Sequence, residues 1–391
     1  MIADRIGRIG FSSTLKISTR AAALRAEGVD VVDFSVGEPD FATPDTIKDA
    51  GKRAIDENFT KYTQGTGTPE LKKIIQRRIF DDHGIEYGPD EIIVSPGAKA
   101  SLYLLSAVLF NKGEECLLPA PYWVSYPEQI ALAKAVSVVI PTEEAKGFKI
   151  TPDDLRAAMT YKTKALMLNN PSNPTGSVYS RDELSALAEV VVESDLVVIS
   201  DEIYSKIVYD DVEFASFASL GEEAKKRSVI VDGVSKSYSM TGWRIGYAAG
   251  PKEIIQAMGK VQSHSTGNPC SVAQKAAGEA LGGPQSAVGM MRREFQSRRD
   301  YVLRELRRIP GVTCAKPGGA FYVFPNMEEY FGKEIDGVRI RDSFSMAYYL
   351  LEKARVAIVP GDAFGAPGFI RISYATSMEN LEKGMERITQ A

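Results

Sequence analysis

Through the middle of the chain, short apolar runs alternate with longer stretches whose apolar residues recur at helical spacing, the pattern of parallel βαβ units. The runs cover residues 92–95, 136–140, 165–169, 196–200, 229–232 and 245–249. Between them, Ser180 and Glu183 form a capping box ahead of a helix over 184–192, and Thr151-Pro152-Asp153-Asp154 opens another with proline at its first position. An apolar helix is predicted over 100–110. Beyond about residue 290 the pattern changes to a charged helix over 291–308, strands around 320–324, a further helix and a strand over 369–375. This part reads as a second, α+β domain. The first 30 or so residues read as an arm leading into 31–36, and no internal repeat or low-complexity segment occurs.

A length of 391 residues fits two domains, or a large one with a smaller companion, and leaves ample chain for an extensive core. With 47 Lys and Arg against 51 Asp and Glu, the net charge is -4, so the basic excess needed to bind a phosphate backbone is missing and nucleic acid is not an expected partner. No apolar run approaches the ~18 residues of a membrane span, and charges stand in the N-terminus where a signal peptide has its apolar stretch. A cytoplasmic protein without membrane contact is expected. Cys116, Cys270 and Cys314 are too scattered for a disulfide framework or a CxxC metal site and read as buried neutral thiols. Only His83 and His264 are present, so a histidine-rich metal site or a Ser-His-Asp triad is hard to assemble, and no metal is expected. A Ser-x-x-Lys match at Ser13 to Lys16 lacks the companion motifs that give it meaning. Chemistry must then come from Lys, Asp, Tyr or a cofactor.

Ligands of an open parallel sheet sit at the carboxyl ends of its strands, which directs attention to the polar residues after each apolar run. The run 92–95 leads into Pro96-Gly97-Ala98-Lys99 and a helix, so the amides of Ala98 and Lys99 lie at a helix N-terminus. That is either a phosphate seat or an ordinary βα turn tightened by Gly97. The run 165–169 ends in Pro171-Ser172-Asn173-Pro174-Thr175-Gly176, where two prolines hold the Asn173 amide in a rigid turn. Asp201 ends the run 196–200 with Tyr204 three residues on; a buried carboxylate there needs a cationic or proton-donating partner, unless it is a helix N-cap. Lys236 follows 229–232 among small residues, and Arg244 comes eight residues later. An amine, a carboxylate and a phosphate seat at one sheet end are what pyridoxal phosphate needs. Arg371 interrupts an apolar strand, and a buried guanidinium calls for an anion: a substrate carboxylate, or a structural ion-pair partner.

The chain resembles the fold type I, pyridoxal-phosphate-dependent class I aminotransferases, and most closely the bacterial aspartate aminotransferases of the short subgroup. The similarity runs over nearly the whole chain, through residues 35–41, 121–126, 173–176, 200–204, 235–236 and 369–371. It implies an α/β fold with a mostly parallel seven-stranded sheet flanked by helices, and a smaller α+β domain. The implied division is an arm and part of the small domain in 1–45, a large cofactor-binding domain in 46–290 and a small C-terminal domain in 291–391. It implies pyridoxal 5'-phosphate as cofactor, Lys236 as Schiff-base lysine, Asp201 as partner of the pyridine nitrogen, and Tyr204 and Asn173 as partners of the phenolic oxygen. Trp123 would stack on the ring, while Ser235, Arg244 and the Ala98 and Lys99 amides would hold the phosphate. Tyr62 would reach that phosphate from the other subunit of a homodimer whose active sites lie at the interface. Gly37, Trp123, Asn173 and Arg371 would contact the amino-acid or keto-acid substrate, and Lys99 would reach the distal carboxylate of an acidic one. Many relatives have serine where this chain has Gly233, which puts one secondary phosphate contact in doubt. Prephenate use is associated with a lysine four residues before the threonine corresponding to Thr14, and here that position is Gly10.

The expected activity is transfer of the amino group of aspartate to 2-oxoglutarate by a ping-pong mechanism. A glutamate/aspartate-prephenate or broader-specificity aminotransferase is the alternative, and a β-lyase a more distant one. The effector-binding domain of a transcription regulator shares this fold. The aminotransferase pattern begins by about residue 12 and is expected to leave no room for its DNA-binding domain.

Overall fold

The computed structural model describes residues 2–10 and 13–391, with the side chains of 4–5 and 13–16 not included. The Ser13 to Lys16 pair and the Thr14 side chain thus lie outside the described residues. A seven-stranded sheet forms the centre, in the order Ile92–Ser95, Gly246–Ala249, Ser228–Gly233, Val197–Asp201, Thr163–Asn169, Glu115–Pro119 and Val136–Ile140. Every pairing is parallel except those of Gly246–Ala249, which runs against both its neighbours. The mostly parallel sheet is therefore as expected. Its inner strands Ser228–Gly233 and Gly246–Ala249 are buried on both faces, which is why they read as apolar runs. The seventh strand, Glu115–Pro119, was not among the predicted runs. Only Cys116, Leu117 and Leu118 are apolar there, and each is buried, the strand being inserted between Thr163–Asn169 and Val136–Ile140.

Both capping boxes form. The Ser180 hydroxyl accepts from the Glu183 amide and Glu183 accepts from the Ser180 amide, opening Arg181–Glu193; Thr151 and Asp154 do the same for Pro152–Ala158. The helix after Gly97 spans Ala98–Leu109, starting two residues before its apolar stretch.

Within the predicted arm, residues Ser13–Ala26 form a helix that the sequence pattern did not indicate. Its Ile17, Ala21 and Leu24, spaced i, i+4 and i+7, are buried in a core with Val32, Phe34, Phe295, Val302 and Leu381. The charged helix runs over Ser286–Leu306, and a three-stranded antiparallel sheet joins Val359–Pro360, Ile370–Ser373 and Tyr322–Val323. The further helix is Ser343–Tyr349, continued by a π-helical turn at Leu350–Ala354. The thiols are corrected in part. Cys116 is buried and pushed up to about 12 by that burial, and Cys314 is shifted likewise, but Cys270 is exposed in the loop ahead of the helix Ser271–Gly282. Among the described residues, no helix is long and apolar enough to cross a membrane.

Candidate active site

The reversed strand Gly246–Ala249 builds one side of the site. Its first residue pairs with Ser95 on one neighbour and Gly233 on the other, so all three stand at the edge where the parallel strands end. Arg244, two residues earlier, is delivered to that edge in a left-handed conformation, φ +57°. Its guanidinium donates to the carbonyls of Thr241 at 2.8 Å and Pro96 at 3.4 Å, above the start of the helix Ala98–Leu109. Glycine is required at two points of this cradle. A Cβ on Gly97, at φ +90°, would lie 2.4 Å from Arg244 Nη2, and one on Gly246 would lie 2.1 Å from the Ala98 nitrogen. Gly233 is equally confined, with a Cβ there falling 2.9 Å from Gly246 Cα. A serine at this position would force the packing to shift.

Asp201 ends its strand nearly fully buried, and no helix begins there for it to cap. Its carboxylate accepts from the Tyr126 hydroxyl at 2.6 Å and from the Ile203 amide at 3.3 Å, so the required proton donor is a phenol. Burial pushes its pKa up to about 6, against those two hydrogen bonds and the charge of Lys236, which pull it down. Lys236 donates to the Gly37 carbonyl at 2.6 Å. Burial brings its amine down to about 8, with Glu38 opposing the shift and Arg371 and Arg244 adding to it. Tyr204 shares a hydrogen bond with Tyr322, hydroxyl to hydroxyl, at 2.9 Å, and burial raises its pKa.

Arg371 is buried, and its guanidinium donates to Asn173 Oδ1 at 2.9 Å and to the Ser35 carbonyl at 2.7 Å. Both acceptors are neutral, and Nε has no partner among the described residues. The group is stacked over Tyr322 at 4.4 Å and Phe364 at 5.1 Å, with no carboxylate paired to it among the described residues. The ion-pair alternative is thereby set aside, and burial of the unpaired cation lowers its pKa. Lys99 holds its ammonium 4.8 Å from the Trp123 ring centroid, and burial followed by the Arg244 charge lowers its pKa.

One cavity of about 440 Å³ is lined by Gly37, Ala98, Lys99, Trp123, Asn173, Asp201, Tyr204, Ser235, Lys236, Arg244 and Arg371. Of the residues predicted from the sequence, Tyr62 alone stands apart, 96% exposed on this single chain. Gly10, whose amide donates to Glu128 at 3.1 Å, is not in the lining either. Tyr126, Tyr322, Asn169 and Ser35 also line it without having been singled out. Tyr126 and Ser35 fall within segments that carry the family resemblance, and Asn169 ends the apolar run 165–169.

Behind Asp201, Glu202 is buried, accepts from Ser200 and Ser216 at 2.8 Å each, and is pushed from 4.5 to about 8 by that burial. The folded state thus keeps a proton that the unfolded chain releases above about pH 4.5, and stability should fall as pH rises from there to about 8. The expected slope is about 1.4 kcal/mol per pH unit for this proton. Glu202→Gln should flatten the pH dependence of the unfolding midpoint by that share; parallel curves for the two proteins would remove Glu202 as its source.

Residues 29–388 match the family "Aminotransferase class I and II", and the chain belongs to that family. It is 50% identical to the aspartate aminotransferase of Geobacillus stearothermophilus, over 99% of this chain and 98% of that one. It is 46% identical to the probable aspartate/prephenate aminotransferase of Aquifex aeolicus, over 100% and 98%. Among solved structures, the aspartate aminotransferase from Rhizobium meliloti matches with a TM-score of 0.97 and 44% identity, covering 100% of this chain and 98% of that one.

Proposed function

We propose that this protein is a pyridoxal-phosphate-dependent aminotransferase that moves the amino group of aspartate to 2-oxoglutarate. The observation that carries this reading is the buried Arg371 guanidinium, unpaired with any described carboxylate, facing the same cavity as Lys236 and Asp201. Its planar fork is suited to the carboxylate common to amino and keto acids.

The donor set fits the cofactor. The cradle of Gly97, Gly246, Arg244, Ser235 and the Ala98 and Lys99 amides suits its phosphate, Asp201 its ring nitrogen, Tyr204 and Asn173 its phenolic oxygen, and Trp123 its ring face. When bound, pyridoxal phosphate supplies an aldehyde that joins covalently to amines and a ring that takes up the electron pair of a broken Cα–H bond. Lys236 serves as anchor and then, as a neutral amine, takes the Cα proton and holds it for return. Burial brings this amine down to about 8, so its neutral form is far more accessible than that of an ordinary lysine. Asp201 keeps a proton at the ring nitrogen, and Arg371 with Asn173 orients the substrate carboxylate. Each half-reaction uses these groups in turn, giving ping-pong kinetics. The deciding experiment mixes the cofactor-loaded protein with single amino acids and follows the cofactor absorbance. Aspartate and glutamate should convert it to the amine form, and no conversion by any amino acid would overturn the reading.

Lys99 bears on substrate charge. A flexible point charge beside Trp123 favours a distal carboxylate while tolerating neutral substrates. Lys99→Met should lower kcat/KM for aspartate by about 1–3 kcal/mol in transition-state terms and leave alanine or phenylalanine nearly unchanged. Equal losses for acidic and neutral donors would assign Lys99 to the phosphate alone. Gly10 ranks prephenate behind 2-oxoglutarate as acceptor. Ammonia and pyruvate released without an acceptor would indicate a β-lyase instead.

The exposed Tyr62 is read as completing the phosphate site of a second copy, making the working unit a homodimer. Light scattering during turnover should give twice the chain mass, and a fully active monomer would contradict it. The domain division proposed is 1–45 with 291–391 around 46–290, supported by the core that the helix Ser13–Ala26 shares with Ser286–Leu306 and Met378–Gln390.

A further inference from the structure

Asn169 ends its strand directly opposite Asp201 in the parallel register, so the two side chains face the same side of the sheet. Its amide is used at both ends. Nδ2 donates to the Asp201 carbonyl at 3.0 Å, and Oδ1 accepts the Asn173 backbone N–H at 2.7 Å. Only this orientation of the amide satisfies both neighbours, since a flipped one would set oxygen against a carbonyl and NH₂ against N–H. The Asp201 carbonyl already takes the Asn170 amide at 3.0 Å in the sheet ladder, so the Asn169 bond is additional to what the strand requires. Asn173 in turn gives Oδ1 to Arg371. A continuous set of hydrogen bonds therefore runs from the backbone of Asp201 through Asn169 and Asn173 to the buried guanidinium.

We propose that Asn169 is a positioning residue of the transamination site: it holds Asn173, and through it Arg371, at a set distance from Asp201. The physical need is clear from the chain. Asn173 sits in a turn with no sheet ladder to place it, whereas Asp201 is fixed by strands on both sides. A side-chain amide that spans from one to the other transfers the rigidity of the sheet to the turn. The carboxylate-binding end and the proton-holding end of the cavity are thus kept in one geometry, the condition for a substrate bound by Arg371 to present its Cα to Lys236.

The inference rests on the aminotransferase reading, and its test separates the two. Succinate, a dicarboxylate with no amino group, is titrated into the cofactor-loaded protein by calorimetry, so that no turnover is involved. Asn169→Ala should raise its Kd about tenfold, the scale of one lost hydrogen bond to a charged network. The decisive measurement is a double-mutant cycle. Asn169→Ala combined with Asn173→Ala should bind no more weakly than Asn173→Ala alone, because both act along one path, while Asn169→Ala combined with Lys99→Met should lose the product of the separate factors. In steady state, KM should rise by the same factor for aspartate and for alanine, and by more than kcat falls. If Asn169→Ala does not fold, Asn169→Ser, too short to span both partners, goes through the same cycle. Unchanged succinate affinity, or multiplying losses with Asn173→Ala, overturns the positioning role while leaving the aminotransferase reading intact. An unaltered protein that does not bind succinate overturns the acidic-substrate reading, and this inference with it.

Discussion

Lys236→Ala is expected to lower transamination by about 10⁴-fold or more, because one side chain is asked to do two things. On the proposed reading it anchors the cofactor, and it moves the Cα proton. Both need a neutral amine, and burial brings Lys236 down to about 8, so that about a tenth is unprotonated at pH 7 where an ordinary lysine has almost none. Its hydrogen bond to the Gly37 carbonyl holds the amine within the cavity. General-base loss alone accounts for roughly 10²–10⁴ in rate, and loss of the covalent anchor adds to it. The variant should still take up cofactor through the Arg244 and Gly97 cradle, without the absorbance of the lysine-bound form. A steady-state assay with aspartate and 2-oxoglutarate decides the matter, and a variant within a few-fold of the unaltered protein would reject the assignment.

Asp201→Ala should leave the cofactor bound and slow Cα deprotonation by about 10²–10³ or more. The carboxylate lines the cavity and is held there by the Tyr126 hydroxyl and the Ile203 amide. On the proposed reading, a proton at the ring nitrogen would then have no counter-charge, and the ring would be a poorer acceptor of the electron pair left when Lys236 removes the proton. The phosphate cradle is built from other segments and is untouched. Single-turnover mixing with α-deuterated aspartate tests this directly. The step should slow and show a larger isotope effect, whereas equal rates in the two proteins would exclude Asp201 from the chemistry.

The strands that carry these residues were legible because a sheet covered on both faces leaves apolar runs with polar residues at their ends. Asp201, Lys236 and the Gly97 turn were found in that way, and Arg371 by its position within an apolar strand. Glu115–Pro119 escaped notice because three apolar residues between a glutamate and a proline give too short a run. The helix Ser13–Ala26 is hard to read from the sequence although Ile17, Ala21 and Leu24 mark one face, since that face is narrow and, Leu15 apart, the rest of the segment is polar or alanine.

Taken alone, the sequence determined whatever depends on neighbours along the chain: the capping boxes at Ser180 and Thr151, the glycine turn before Ala98, and the strand ends that present Asp201 and Lys236. Their side chains act within a few residues of their own backbone, so local pattern suffices. Tertiary structure decided the partners. Tyr126 reaches Asp201 across 75 residues, Lys236 reaches Gly37 across 199, and Arg371 reaches Ser35 across 336. Such contacts are set by strand order, by the one reversed strand that swings Arg244 to the active edge, and by the packing of the chain's two ends into one core. Neither periodicity nor composition carries that information, because a hydrogen bond's geometry depends on where folded segments meet and not on their separation along the chain.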